Sequence, residues 1–144
     1  MRFTIPGEPC AKGRPRFSRQ GQFVRTYTPA KTVNYESLVV LEFQSAGGKM
    51  LDGMISMTVK AYYPIPKSAS KKAHRQMATG EVRPTKKPDT DNVLKIVADA
   101  LNGIAYKDDS QIVTSHIEKW YSDEPHMDVI IEEVRNESLC DFQC

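Results

Sequence analysis

The sequence is short of cysteine, of histidine and of long apolar runs. Among 144 residues only three are cysteines, Cys10, Cys140 and Cys144, an odd number with no C-x-x-C pair and no zinc-like spacing to His74, His116 or His126. That excludes a disulfide framework and a zinc finger, and it points to a reducing, cytoplasmic setting with free thiols. The three histidines are scattered, and none is assigned a ligand or catalytic role. No run of about 18 apolar residues is present, so neither a transmembrane helix nor a membrane partner is expected. Met1 leads directly into Arg2-Phe3-Thr4-Ile5-Pro6 without an apolar stretch, so no secretory signal is expected. Net charge is nearly absent as well, at +2. What is there, 40% hydrophobic and 26% charged residues, matches an ordinary globular chain of one domain. At this length a core forms without disulfides or a structural metal.

The small net charge conceals blocks of opposite sign. Residues 1–31 carry seven basic groups against Glu8, a block of +6, and residues 60–88 carry eight against Glu81, a block of +7. Residues 32–59 stand at −2, and residues 89–144 hold thirteen acids against four basic groups, a block of −9. Such a chain suits a polyanion on one surface and a cation on another, provided that the blocks do not mix and cancel on folding.

Hydropathy patterning gives the elements. Phe3 and Ile5 alternate with Thr4 as a short strand before Pro6. Gly7 to Arg19 reads as a loop rich in Gly, Pro and Arg, with a turn at Arg19-Gln20-Gly21-Gln22 and a short strand at Phe23–Tyr27. Thr28-Pro29 predicts a helix start and Gly47-Gly48 its stop, with Val33, Leu38, Val40, Leu41 and Phe43 supplying an apolar face. Ile55, Met57, Val59, Ala61 and Tyr63 alternate with polar neighbours and predict a strand with one face on the core. Residues 67–88 are polar and basic, with a helical turn or two around Ser70–Met77.

A second helix is expected from Asn92 to about Asn102, because Val93, Ile96, Val97, Ala100, Leu101 and Ile104 form one stripe of helical period. Gln111–Tyr121 and Met127–Val134 read as strands joined by Asp123-Glu124-Pro125, and a hairpin is expected. The fold class is therefore α+β: a single domain, residues 1–135, with a mixed or antiparallel sheet packed on two main helices, followed by a tail at 136–144.

Chemistry concentrates where the second basic block meets the apolar stripe. In Asp89-Thr90-Asp91-Asn92 the ordinary role of the acids is to cap a helix and complement its dipole. The other role is a Mg²⁺ site, since that ion takes carboxylate oxygens and keeps several waters. An EF-hand is excluded by Val93 and Leu94 at the fifth and sixth positions. A phosphatase-type nucleophile is excluded because Thr85-Lys86-Lys87-Pro88 is no buried strand. Lys95 stands four residues after Asp91, either as an ion-pair partner or as a cation for a phosphate. Asp108-Asp109 is a second pair in a turn, and the strand that follows is able to return it toward the helix.

Asp89-x-Asp91-Asn92-x-x-Lys95, then Asp99-Ala100-Leu101-Asn102-Gly103, then Asp108-Asp109-x-Gln111-Ile112 resembles the RusA family of Holliday junction resolvases, small homodimeric phage and prophage endonucleases of mixed α/β fold. The resemblance covers most of residues 1–134 in element order, and its specific part is residues 88–112. It implies metal ligation by Asp89, Asp91 and Asp109, a catalytic Lys95, Mg²⁺ as cofactor with Mn²⁺ able to substitute, and four-way junction DNA as substrate in recombination and repair. Gly13-Arg14-Pro15-Arg16 is similar to the opening of many RusA-like proteins, and Arg14, Arg16, Lys86 and Lys87 are the candidates for DNA-backbone contacts. The basic stretch 65–87 is longer than in compact members. A symmetric dimer making paired nicks matches the two-fold symmetry of a junction. Two other readings compete, a nuclease for flaps or other branched DNA and a non-catalytic junction-binding protein whose acids only cap a helix.

Overall fold

The computed structural model describes residues 1–12 and 30–135 in full, and residues 16–20 and 23–27 by their backbone. Six strands and three helices occur among them: β1 (Arg2–Pro6), β2 (Arg16–Gln20), β3 (Phe23–Tyr27), α1 (Ala30–Ser45), β4 (Ile55–Pro64), α2 (Lys71–Ala78), α3 (Thr90–Ala100), β5 (Ile112–Ser122) and β6 (His126–Glu133). A 3-10 turn at Asp109–Gln111 leads into β5. The chain is a single α+β domain built on a four-stranded mixed sheet of order β1-β6-β4-β5.

The alternation in β4 does what its pattern requires. Ile55, Met57, Val59, Ala61 and Tyr63 are buried, and the residues between them, Ser56 to Tyr62, are half-buried. β6 pairs antiparallel with β4 through Val59↔Val129 and with β1 through Phe3↔Val129, which lines Phe3, Val129 and Val59 across one face. α1 packs on β1, where Phe3 and Phe43 meet edge to face at 5.6 Å, and α3 packs on β5 and on α1. Val93, Ile96 and Val97 are fully buried, the stripe expected from their spacing. Each such side chain contributes about 1.5–3 kcal/mol of transfer free energy, so the core face of α3 secures the helix whatever its polar face does.

Three expectations are corrected. β5 and β6 form no hairpin: β4 lies between them, parallel to β5 and antiparallel to β6. The connection at 123–125 therefore steps over one strand. Alternation sets which face of a strand is buried but not which strand it pairs with, and the α2–α3 segment gives β4 the long crossover that a parallel neighbour needs. The Gly7–Arg19 stretch is no continuous loop, because Arg16–Gln20 pairs with Phe23–Tyr27 as an antiparallel ribbon held by backbone bonds that its arginines do not reveal. In α1 the buried residues are Thr32, Tyr35, Val39 and Phe43, while Val33 and Leu41 are exposed. The spacing of 3, 4 and 4 is helical, but it begins on Thr and Tyr, which counting aliphatic residues overlooks. The Thr28-Pro29 helix start and the tail at 136–144 lie outside the described residues. No helix among the described residues is long and apolar enough to cross a membrane.

Candidate active site

The polar end of α3 gathers the first acids. Asp89 occupies the N-cap position and Asp91 the first turn, where both carboxylates face the positive end of the helix. Val93 N–H donates to the Asp89 carbonyl at 3.2 Å, so the backbone cap is made, yet the Asp89 side chain makes no capping hydrogen bond. Lys95 follows one turn after Asp91, exposed, and the two form no ion pair. Among the described residues the side chains of Asp89, Asp91 and Lys95 have no hydrogen-bond or ion-pair partner. Both structural roles open to these residues, side-chain capping and i,i+4 pairing, are thus unused.

The far end of α3 is wired differently. Lys12 crosses the helix: its N–H donates to the Asn92 carbonyl at 3.0 Å, and its ammonium pairs with Glu36 of α1 and, at 3.4 Å, with Asp99. Partial burial works against that ammonium, but the hydrogen bond and charge of Glu36, aided by Asp99, outweigh it and hold the Lys12 pKa above its ordinary value. Tyr106 is fully buried under this end, its hydroxyl donating to the Ala98 carbonyl, and burial with the charges of Asp109 and Asp99 raises its pKa.

Asp108 and Asp109 stand in the turn that follows. Ser110 Oγ donates to Asp108 Oδ2 at 2.9 Å, and this bond, together with one from Asp109, holds the Asp108 carboxyl below its usual range. Asp109 shifts the other way, chiefly through its hydrogen bond to Asp108, then through desolvation and the charges of Asp108 and Asp99. Gln111 braces the turn from below. Its Oε1 accepts from the N–H groups of Lys107 at 2.9 Å and Asp108 at 3.2 Å, while its Nε2 donates to the Gly53 carbonyl at 3.1 Å. The D-D-x-Q spacing therefore has a structural reason, since the Gln fastens the acid-bearing turn to the loop before β4.

Asp109 reaches the neighbourhood of α3 at the Asp99 end, whereas Asp89 and Asp91 lie at the other end. No three acids, histidines or cysteines among the described residues converge as a ready metal cage. The donors at Asp89 and Asp91 nevertheless suit Mg²⁺, which is commonly held by one or two carboxylates and otherwise by water and substrate oxygens. Both carboxylates are exposed and bound to nothing else among the described residues.

Lys86 and Lys87 are exposed just before Asp89, and Lys119 Nζ donates to the Lys86 carbonyl at 2.6 Å. Of the other proposed DNA contacts, Arg14 lies outside the described residues, and Arg16 is described only by its place in β2. Sequence reasoning gave no role to Lys12 or Lys119, and it quoted Gln111 within a motif without the bonds it makes. Lys12 was detectable as the residue adjoining Gly13-Arg14-Pro15-Arg16.

Comparison with known proteins gives the family of the chain. A protein of Bacillus subtilis (strain 168) named "Uncharacterized protein YqaN" is 45% identical over 137 residues, covering 93% of this chain and 96% of that one. The model of the family described as "Endodeoxyribonuclease RusA" matches residues 6–132, a span that includes the three helices and Asp89, Asp91, Asp108 and Asp109. The chain belongs to the RusA endodeoxyribonuclease family.

Proposed function

We propose that this protein is a Mg²⁺-dependent endodeoxyribonuclease that resolves Holliday junctions by paired phosphodiester hydrolysis, acting as a cytoplasmic homodimer in DNA recombination and repair. The observation that supports this most is the set of exposed Asp89, Asp91 and Lys95 side chains without partners among the described residues, at the start of a helix whose opposite face is core. Charged groups kept in one place without a structural partner are the expected state of groups awaiting a ligand.

In this reading Asp89 and Asp91 would hold the cation, and Asp109, now beside Asp99 at the other end of α3, would join them only if its turn moved toward Asp91. The ion supplies positive charge that eases attack of water on the phosphodiester. Lys95 faces the scissile phosphate and stabilises the charge that develops on its oxygens. Gln111 keeps the Asp109 turn in place, and Lys12 fixes α3 against α1. Lys86 and Lys87, with Arg14 and Arg16, hold the DNA backbone without reading sequence.

The test is cleavage of a synthetic four-way junction with and without Mg²⁺, with product ends mapped. The expected result is metal-dependent, symmetric nicking that is lost in Asp89→Asn, Asp91→Asn and Asp109→Asn taken singly. Cleavage that survives all three substitutions overturns the metal site. Linear duplex cut as fast as the junction removes resolvase specificity, and flap substrates cut faster make the protein a flap nuclease. A monomeric mass at working concentration overturns paired nicking by a dimer.

A further inference from the structure

We infer that α2 and the residues flanking it form a binding surface for the phosphodiester backbone of a duplex arm, reaching away from the cleavage site. The inference takes only the DNA ligand from the nuclease reading and requires no cleavage.

α2 has no fully buried residue: only Ala73, Gln76 and Met77 are half-buried, on the side that packs against β5, and its basic side chains stay outside that contact. An eight-residue helix is marginal by itself, and Lys71 with Arg75 at i,i+4 sets like charges on one face, which weakens it further. A cap and a mid-helix bond hold it as well. Ser70 caps it by accepting from the Ala73 N–H at 3.1 Å, and His74 binds Asp123 at 2.8 Å. Beyond its C-terminus the chain clamps onto β5. The α-carbon of Gly80, at φ +84°, sits so close to Trp120 that a Cβ there would lie 2.8 Å from the indole. The Arg83 guanidinium stacks 3.9 Å above the Trp120 ring, and its Nε donates to the Lys119 carbonyl at 2.8 Å.

The segment therefore divides into two kinds of basic residue. Arg83 and Lys119 are spent on anchoring. Lys67, Lys71, Lys72, Arg75, Lys86 and Lys87 have no carboxylate within ion-pair distance among the described residues. All of these but Lys72 line two neighbouring hollows that share Pro66. A groove of about 650 Å³ is lined by Lys67, Lys71, His74 and Arg75, with the His74-bound Asp123 at its side. At Pro66 it meets a smaller hollow of about 190 Å³ lined by Lys86, Lys87 and Lys119, with Glu8 as its one acid. That hollow ends two residues before Asp89. An anchored strip of unpaired cations that tolerates self-repulsion and leads to the acids is matched in charge by a phosphate backbone.

The test uses the full chain in EDTA, so that cleavage is silent, and four-way junctions with hairpin-closed arms. The variant carries Lys71→Gln, Lys72→Gln and Arg75→Gln together; Lys67→Gln, outside the helix, serves if the triple variant unfolds. With arms of two helical turns the triple variant is expected to bind about 10-fold more weakly at moderate salt, and its log Kd–log salt slope to fall by about 2 to 3. With arms cut to about half a turn, roughly five base pairs, the deficit should shrink toward parity. Lys86→Gln with Lys87→Gln should weaken binding at both lengths. A deficit independent of arm length, or an unchanged salt slope, overturns the inference. A wild-type protein that binds in this arm-dependent way but never cuts leaves the surface standing and removes the nuclease; one that cuts while the variants bind normally does the reverse.

Discussion

The two acid pairs of this domain are chemically alike in sequence and opposite in structure. Asp89 and Asp91 sit at the start of a helix fixed by its buried face, and neither carboxylate has a hydrogen-bond or ion-pair partner among the described residues. Asp108 and Asp109 sit in a turn that they help to build, one held by Ser110 and both bound to each other. The first pair is rigid because of what lies beneath it, the second because of what its own atoms hold. Substitution at the first pair should therefore register in chemistry alone, and at the second in chemistry and fold together.

The largest expected effect tests the first half of that contrast. Asp91→Asn should slow single-turnover junction cleavage by at least about 100-fold, and Lys95→Met by a comparable factor. Both should change stability by no more than about 1 kcal/mol, the size of a helix-dipole contact, since neither side chain has a partner among the described residues. A substantial drop in melting temperature would show that the acid serves the fold after all. Next comes the foundation of the same helix: Ile96→Ala, at a fully buried position, should destabilise by about 2–5 kcal/mol in denaturant unfolding, with Asp91 untouched.

Gln111→Ala probes the second pair. It frees the Lys107 and Asp108 N–H groups and the Gly53 carbonyl, so cleavage should fall about 10-fold or more and stability by about 1–2 kcal/mol. Asp109→Asn should again split the two readouts. Folded Asp109 keeps its proton more readily than the unfolded chain, so its contribution to stability declines as pH rises through the carboxylate range. The substitution should remove that decline in a series of unfolding midpoints while abolishing cleavage. The smallest effect belongs to Lys12→Met, about 1 kcal/mol at neutral pH. Because the folded pKa of Lys12 is raised, that contribution is complete below the ordinary lysine value and lost as pH climbs through the folded one, so wild type and variant should converge at strongly alkaline pH.

Much of this was legible in the residues. The α3 stripe and the β4 alternation are periodic and local, and both appear as expected. Pairing between strands is not local, which is why β4 lying between β5 and β6 escaped the pattern, and why the arginine-rich β2 looked like loop. At the site, the positions of Asp89, Asp91 and Lys95 on the polar end of a helix followed from spacing. That their side chains have no partner among the described residues did not, because absence of a contact is a property of everything around a residue. Lys12 pairs with acids far along the chain and Gln111 reaches the Gly53 carbonyl, contacts that the local spacing does not encode.

The clamp of Gly80 and Arg83 on Trp120 has a consequence for solubility. β5 is an outer strand of the sheet, and a bare outer strand invites another molecule to pair with it. The Lys119 carbonyl is already taken by Arg83, and the Lys119 ammonium reaches over to Lys86, so part of that edge is closed and the rest is guarded by charge. A chain trimmed of residues 65–87 to resemble a more compact relative would lose this cover, and its first failure would be self-association along β5.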